Sequence, residues 1–245
     1  MNKFLLALQF LTIIPVRLKN IQPKEIGRSL IFFPLVGLFI GLLLAGINHL
    51  LSGFPALTSA VILVVSSVIL TGGLHLDGLA DTFDAAASGK NKEEMLNIMK
   101  DPHIGTMGVS SIVCALLLKV TLLAGIPAEI RSLSLILMGV ASRWAMVLAI
   151  SAFTYARAEG KAKAFFEEKN MNSFLLATVM ALSICILASG VTGLGALAIA
   201  STMTYLAGSW INKKITGITG DNLGAINEVT EITVIIYLSV IYNIL

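Results

Sequence analysis

Three aspartates, Asp77, Asp81 and Asp84, fall close together in Leu76-Asp77-Gly78-Leu79-Ala80-Asp81-Thr82-Phe83-Asp84. In a helix, at ~100° per residue, Asp81 is turned ~40° from Asp77 and Asp84 about −20°, so the carboxylates share one face, with Ser88 on the same stripe. Such neighbours stand ~5–6 Å apart at Cβ and repel by up to ~3 kcal/mol per pair at an effective dielectric near 20. The nearest following bases, Lys90 and Lys92, lie outside the cluster. The face therefore needs water, protonation or bound cations. A solvated face beside a membrane is the plain alternative, but the residues between the acids are apolar or small (Gly78, Leu79, Ala80, Phe83). Carboxylates without His or Cys at zinc spacing suit Mg2+ or Mn2+. Because Mg2+ usually binds through one or two carboxylates together with substrate phosphates, the stripe predicts a phosphate-bearing substrate.

A second constellation is Thr216-Gly217-Ile218-Thr219-Gly220-Asp221-Asn222-Leu223-Gly224-Ala225-Ile226-Asn227-Glu228. Asp221 and Glu228, seven apart, share a helical face with Gly224 and Ala225 between them, leaving room for a ligand or a metal–water shell. Capping by Thr219 or Asp221 would explain one acid, not two on one stripe. Glu231 points further round and is expected to support the others. A third stretch, Met99-Lys100-Asp101-Pro102-His103-Ile104-Gly105-Thr106-Met107-Gly108, reads as an N-cap with proline at the first helical position. Lys100 and His103 would add positive charge near a phosphate, and Gly105 and Gly108 would permit close backbone approach. His75, after Gly72-Gly73, is expected in the turn, as an orienting group, a base or a plain hydrogen-bonding residue. Arg143 sits mid-span, where insertion costs ~2.5–3.5 kcal/mol and function or helix pairing is the default reading. Arg157 with Tyr155 reads as a phosphate grip or as a basic anchor. Lys119 is expected to snorkel outward.

The elements that must carry these residues are apolar helices. The chain has 245 residues, 56% hydrophobic and 13% charged, with mean hydropathy +0.90. A soluble domain is ~25% charged, so a water-facing fold, a disordered chain and a nucleic-acid partner are all disfavoured. Cys114 and Cys185 lie in apolar runs and read as buried hydrophobes rather than a disulfide. Spans need ~20 mostly apolar residues; runs occur at 29–52, 57–74, 104–126, 133–153, 173–190, 194–212 and 230–245. Phe4 to Ile14 is too short to span and reads as an interfacial helix. Fourteen of the 17 bases (Lys3, Arg17, Lys19, Lys24, Arg28, Lys90, Lys92, Lys100, Arg157, Lys161, Lys163, Lys169, Lys213, Lys214) fall on one alternating set of connections; the other set holds only Arg131. Basic loops stay cytoplasmic. The expectation is an all-α polytopic membrane bundle, one domain of about seven transmembrane helices plus the N-terminal interfacial helix. Its N-terminus and acids would face the cytoplasm. Gly37 and Gly41 would let helices approach closely. Oligomeric state is left open.

Gly72-Gly73-Leu74-His75-Leu76-Asp77-Gly78-Leu79-Ala80-Asp81-Thr82-Phe83-Asp84 resembles the hallmark segment of the cobalamin synthase family (adenosylcobinamide-GDP ribazoletransferase). The resemblance runs nearly end to end. It takes in Phe10-Leu11-Thr12-Ile13-Ile14-Pro15, Phe33-Pro34-Leu35-Val36-Gly37, Ile98-Met99-Lys100-Asp101 with Ile104-Gly105, and Thr219-Gly220-Asp221 through Glu228. Two places depart from the pattern: His103 stands where arginine is common, and Glu159-Gly160-Lys161 replaces a glycine-leucine-glycine turn.

The resemblance implies a Mg2+-dependent enzyme of the bacterial or archaeal cytoplasmic (inner) membrane. α-Ribazole, or its 5′-phosphate, would attack the phosphate joined to cobinamide in adenosylcobinamide-GDP, releasing GMP. On that reading Asp77, Asp81 and Asp221 hold one or two metal ions, Asp84 is the general base and also near the metal, and His75 assists. Lys100, Asp101, Arg143, Arg157 and Glu228 would hold substrate. Two other membrane transferases are runners-up. A CDP-alcohol phosphotransferase carries D-x-x-D-G-x-x-A-R, whereas Asp77-Gly78 here leads to Ala80-Asp81 without arginine; a prenyltransferase spaces its aspartates differently. An ion transporter would keep its acids near the midplane on broken helices.

Overall fold

Prolines and glycines divide the apolar sequence into helices, and in a computed structural model describing residues 2–16, 18 and 21–244 of the chain these are α1 (Asn2–Leu11), α2 (Pro23–Ser29), a 3-10 turn (Leu30–Phe32), α3 (Phe33–Leu50), α4 (Ala56–Thr71), α5 (Leu74–Ala87), α6 (Lys92–Ile98), α7 (Thr106–Gly125), α8 (Ala128–Ala152), α9 (Lys163–Glu167), α10 (Met171–Ile215) and α11 (Gly220–Ile244). Arg17 and Lys19, counted among the cytoplasmic bases, lie outside the described residues. Among the described residues the one β-type pairing is an isolated bridge between Tyr155 and Ile218. The fold is all-α, a multi-pass membrane bundle.

α8 is the buried axis, packed against α3, α10 and α11. Its contact with α3 depends on residues without side chains. A Cβ on Gly37 would fall 2.1 Å from the carbonyl oxygen of Gly139, and one on Gly41 2.7 Å from Cα of Ile136. Close approach of this kind replaces the missing hydrophobic drive between helices in lipid with dispersion contact. Leu117 on α7 and Leu187 and Val191 on α10 point outward, an arrangement suited to lipid rather than water.

Five helices are long and apolar enough to cross a membrane, or up to six if α4 and α5 count as one bent span, against seven expected. Much of the difference lies in α10, which covers both runs at 173–190 and 194–212 in one 45-residue element. It is not straight. Ser189 and Gly190 leave helical dihedrals (φ −154° and +52°). A Cβ on Gly193 would lie 2.0 Å from the carbonyl oxygen of Cys185, whereas eight residues of straight helix span ~12 Å. The chain folds back there as two arms.

Two further boundaries correct the sequence reading. α7 starts at Thr106, so Asp101-Pro102 lies in the preceding loop and is not its cap. His75 is in the first turn of α5 and buried, not in the turn before it. That turn is made by Gly72 and Gly73, both left-handed (φ +63° and +69°), a conformation glycine adopts without the Cβ penalty. They bend the chain by 89° between α4 and α5. α5 therefore leaves the direction of its span and crosses the start of α11.

Candidate functional site

The crossing of α5 and α11 is held by small residues and one polar pair. A Cβ on Gly78 would sit 2.5 Å from the carbonyl oxygen of Asp221, and one on Gly224 3.1 Å from that of His75. Asn222 Nδ2 donates to Thr82 Oγ1 at 2.9 Å, while Asn222 Oδ1 accepts from the Thr219 amide at 2.8 Å. Thr219 caps α11 weakly, accepting from the Asn222 amide at 3.3 Å. Asp221 is thereby free to face outward, where Arg157 Nη2 meets its Oδ2 at 2.7 Å. Backbone pairing delivers the arginine: the Ala156 amide donates to Ile218 O at 3.0 Å and the Ile218 amide to Thr154 O at 2.9 Å. Gly217 (φ +144°) makes that pairing possible, since a Cβ there would lie 2.8 Å from Thr154 O.

The acidic stripe divides into two kinds of carboxylate. Asp77 is exposed and Asp81 half-buried, both without a side-chain partner among the described residues. Burial, followed by the like charges of Asp221 and Asp77, pushes Asp81 up to about 7. Asp84 differs. Its Oδ2 accepts from the Gly105 amide and its Oδ1 from the Gly108 amide, both at 2.7 Å. It caps α7 from another helix, meeting the partial positive charge of that helix end. Gly105 and Gly108 do allow a close approach, but Asp84 occupies it: a Cβ on Gly108 would fall 2.3 Å from Asp84 Oδ2. The structure thus gives Asp84 two backbone donors where a free base was expected.

Two cavities of about 490 and 510 Å³ adjoin here, and Asp77, Lys100, Lys161 and Asp221 line both. His75, Arg157 and Tyr155 line the first only. Asp81, Asp101 and His103 line the second only. Asp101 Oδ1 accepts from the His103 amide at 2.9 Å and meets its Nδ1 at 2.6 Å, contacts that hold the Asp101 carboxyl below its usual range. Among the described residues no three His, Cys, Asp or Glu side chains form a ready metal site. Asp84 faces α7 and Asp221 faces Arg157, so the four expected ligands are not gathered as one shell. The donors that line the shared wall are nonetheless carboxylate oxygens beside lysines, a set that fits Mg2+ arriving with a phosphate.

Glu228 and Arg143 are not in either cavity. They belong to a buried ionic cluster beneath it. Lys119 Nζ donates to Glu228 Oε2 at 2.7 Å and also to Glu231, and Arg143 Nη1 donates to Glu231 Oε1. Lys119 is buried, not snorkelling. Turning it outward would leave two carboxylates on α11 without counter-charge in a low-dielectric interior, which outweighs the gain in solvation. The cluster ties α7 and α8 to α11 and carries two acids and two bases.

In the sequence Lys161 is legible only as one of the fourteen bases of the cytoplasmic connections, and the Asn222–Thr82 link not at all. Partners on different helices leave no periodic trace. The two departures from the family pattern both sit at the cavities: His103 pairs with Asp101, and Glu159 lines the first cavity without displacing Arg157 from Asp221.

Residues 3–239 match the family model described as cobalamin-5-phosphate synthase. The chain is 38% identical over 231 residues to an adenosylcobinamide-GDP ribazoletransferase of Desulforamulus reducens, covering 94% of this chain and 93% of that protein. It is 38% identical over 240 residues to the protein of that name from Pseudomonas fluorescens (96% and 98% covered). With the one from Pseudomonas syringae pv. syringae it shares 37% over 246 residues (98% and 100%). No solved structure matches. A match over nearly the whole length, on a bundle whose acidic crossing carries the segment that suggested it, places this chain in the cobalamin-5-phosphate synthase family.

Proposed function

We propose that this chain joins α-ribazole, or α-ribazole 5′-phosphate, to adenosylcobinamide-GDP, yielding adenosylcobalamin or its 5′-phosphate and GMP. The family assignment supplies the reaction class. The observation that carries the reading is the pair of cavities meeting at Asp77, Lys100, Lys161 and Asp221. Such a wall suits two substrates approaching one phosphorus from opposite sides, as in-line displacement requires.

In this reading a ribazole hydroxyl oxygen attacks the phosphorus bearing cobinamide. The bond from that phosphorus to the GMP oxygen breaks, and the hydroxyl proton is left over. Lys100, Lys161 and Arg157 hold the diphosphate oxygens in register. Asp81, half-buried and free of amide or cationic hydrogen-bond partners among the described residues, takes the proton on its carboxylate, in place of Asp84, whose oxygens cap α7. His75 faces the first cavity, and Asp101 holds His103 at the rim of the second. Asp77 and Asp221 face both cavities and are the residues that would share Mg2+ with the substrate. When bound there, Mg2+ neutralises diphosphate charge and the departing oxygen of GMP. Arg143 and Glu228 act only by holding α8 and α7 against α11. The basic connections would set the N-terminus and both cavities on the cytoplasmic side of the inner membrane.

The test is direct. Full-length protein in proteoliposomes receives adenosylcobinamide-GDP, either ribazole form and Mg2+, and GMP and cobamide are scored. Product formation abolished by chelator and restored by Mg2+ is the expected result. No GMP from either acceptor, with the protein folded, overturns the reading.

A further inference from the structure

The first cavity is not lined by charge alone. Phe10 of α1, Tyr155 and Met146 of α8 supply an apolar part of the lining, which also carries Arg157 and Lys161. The two rings are partly buried, line the cavity and pack against adjacent residues of the five-residue helix α9. Phe165 lies 4.5 Å from Phe10 between ring centroids, and Phe166 lies 5.0 Å from Tyr155. Gly160 (φ +151°) packs against the phenol, with no room for a Cβ beside Tyr155 Oη. Rings fixed in this way lose little entropy on meeting a flat ligand, which is the setting for aromatic stacking.

A second observation points into the same space. His75 is 1% exposed, lines this cavity, and its Nε2 has no hydrogen-bond partner among the described residues. Arg157 Nε is likewise buried without a hydrogen-bond partner. Buried polar atoms are nearly always satisfied, so two unpartnered ones on residues that line one cavity call for ligand atoms. An apolar wall, a buried imidazole nitrogen and guanidinium and ammonium groups match the parts of a nucleotide: base, sugar or base heteroatom, and phosphate. At about 490 Å³ the cavity has the size of a small-molecule site and suits a nucleotide better than a substituted corrin macrocycle.

We infer that the first cavity is a nucleotide subsite in which Phe10, Tyr155 and Met146 receive a planar heteroaromatic base, His75 Nε2 hydrogen-bonds the base or its ribose, and Arg157 with Lys161 holds the attached phosphate. The identity of the nucleotide rests on the proposed function: it is either the guanosine end of the donor or the benzimidazole nucleotide that attacks it. Phe10 and Tyr155 are specificity determinants for that base, and Phe165 and Phe166 are positioning residues.

The test measures binding of GMP, α-ribazole 5′-phosphate and inorganic phosphate, without metal, to the detergent-solubilised full chain and to Phe10→Leu, Tyr155→Leu and Tyr155→Phe. At least one nucleotide should bind more tightly than phosphate. Both leucine variants should weaken that nucleotide about tenfold or more, while Tyr155→Phe stays within about twofold and phosphate binding is unmoved. Loss of GMP binding assigns the subsite to the donor; loss of the ribazole nucleotide assigns it to the acceptor. In turnover assays the KM of the matching substrate rises with kcat held. Unchanged nucleotide binding in both well-folded leucine variants overturns the inference, as does an equal loss of phosphate binding. The two readings fail separately: a protein that binds nucleotide through Tyr155 yet makes no cobamide refutes the proposed reaction only.

Discussion

At the scale of single residues, the three α5 aspartates are chemically distinct although they share one helical stripe. Asp81 is held near neutrality by burial and two neighbouring carboxylates. Its raised pKa means the ionised form is present above about 7 and lost as pH falls through that value. If it accepts the hydroxyl proton, kcat should fall by about tenfold per pH unit below the acid limb. That limb should lie at or below about pH 7, since bound cations can only lower it. Asp81→Asn should abolish turnover, leaving membrane insertion and thermal stability intact; a near-normal rate would remove Asp81 from the chemistry. Asp84 has a different liability. Asp84→Ala strips two amides at the start of α7 of their acceptor, a loss of about 1–2 kcal/mol, read as a lower Tm. Asp84→Asn should keep part of that stability, because its amide oxygen still accepts one bond. A larger loss of activity than of stability in Asp84→Asn would return a chemical role to this residue.

At the scale of elements, α11 is clamped twice: by the Asn222–Thr82 link at its start and by the ionic cluster one to three turns further on. The two clamps fix the register that brings Asp221 to the cavities. Removing one partner of a buried ion pair typically costs ~3–5 kcal/mol. Lys119→Met should therefore lower Tm strongly, as it strands Glu228 and leaves Glu231 to Arg143 and the Asn227 amide. Adding Glu228→Gln to Lys119→Met should recover part of the loss, a coupling readable in a double-mutant cycle on unfolding in detergent. Additive effects would mean the lysine and Glu228 are not energetically paired. Arg143 gives a mid-span charge a structural explanation that does not require substrate.

At the scale of the whole molecule, the alternation of basic and base-poor connections predicts a sidedness, with the basic connections cytoplasmic. In a variant without Cys114 and Cys185, a cysteine at Ser132 should react with an impermeant thiol reagent in intact cells. One at Lys163 should react only after permeabilisation. Reversal of that pattern would move both cavities to the other face of the membrane. The same argument accounts for what lies where: the acids and the cations that line the cavities collect near the basic connections, and the outward faces of α7 and α10 are left apolar.

Much of this was open to reading in one dimension. Composition alone requires helices in lipid, because backbone groups there must be satisfied within each segment. A period of 3.6 residues puts Asp77, Asp81 and Asp84 on one stripe, and Gly37 and Gly41 on one packing face. Those inferences concern neighbours within a single helix, whose geometry is nearly invariant. The role of each acid depends on what another helix presents to it. Asp84 meets the α7 amides only because α5 turns 89° at Gly72-Gly73, and Lys119 stays inside only because α11 offers two carboxylates at its depth. The fold-back at Ser189–Gly190 and the aromatic wall of Phe10 and Tyr155 likewise arise from segments far apart in sequence. Periodicity follows from covalent geometry and is written locally, whereas pairing is set by packing between helices and exists only once the bundle has formed.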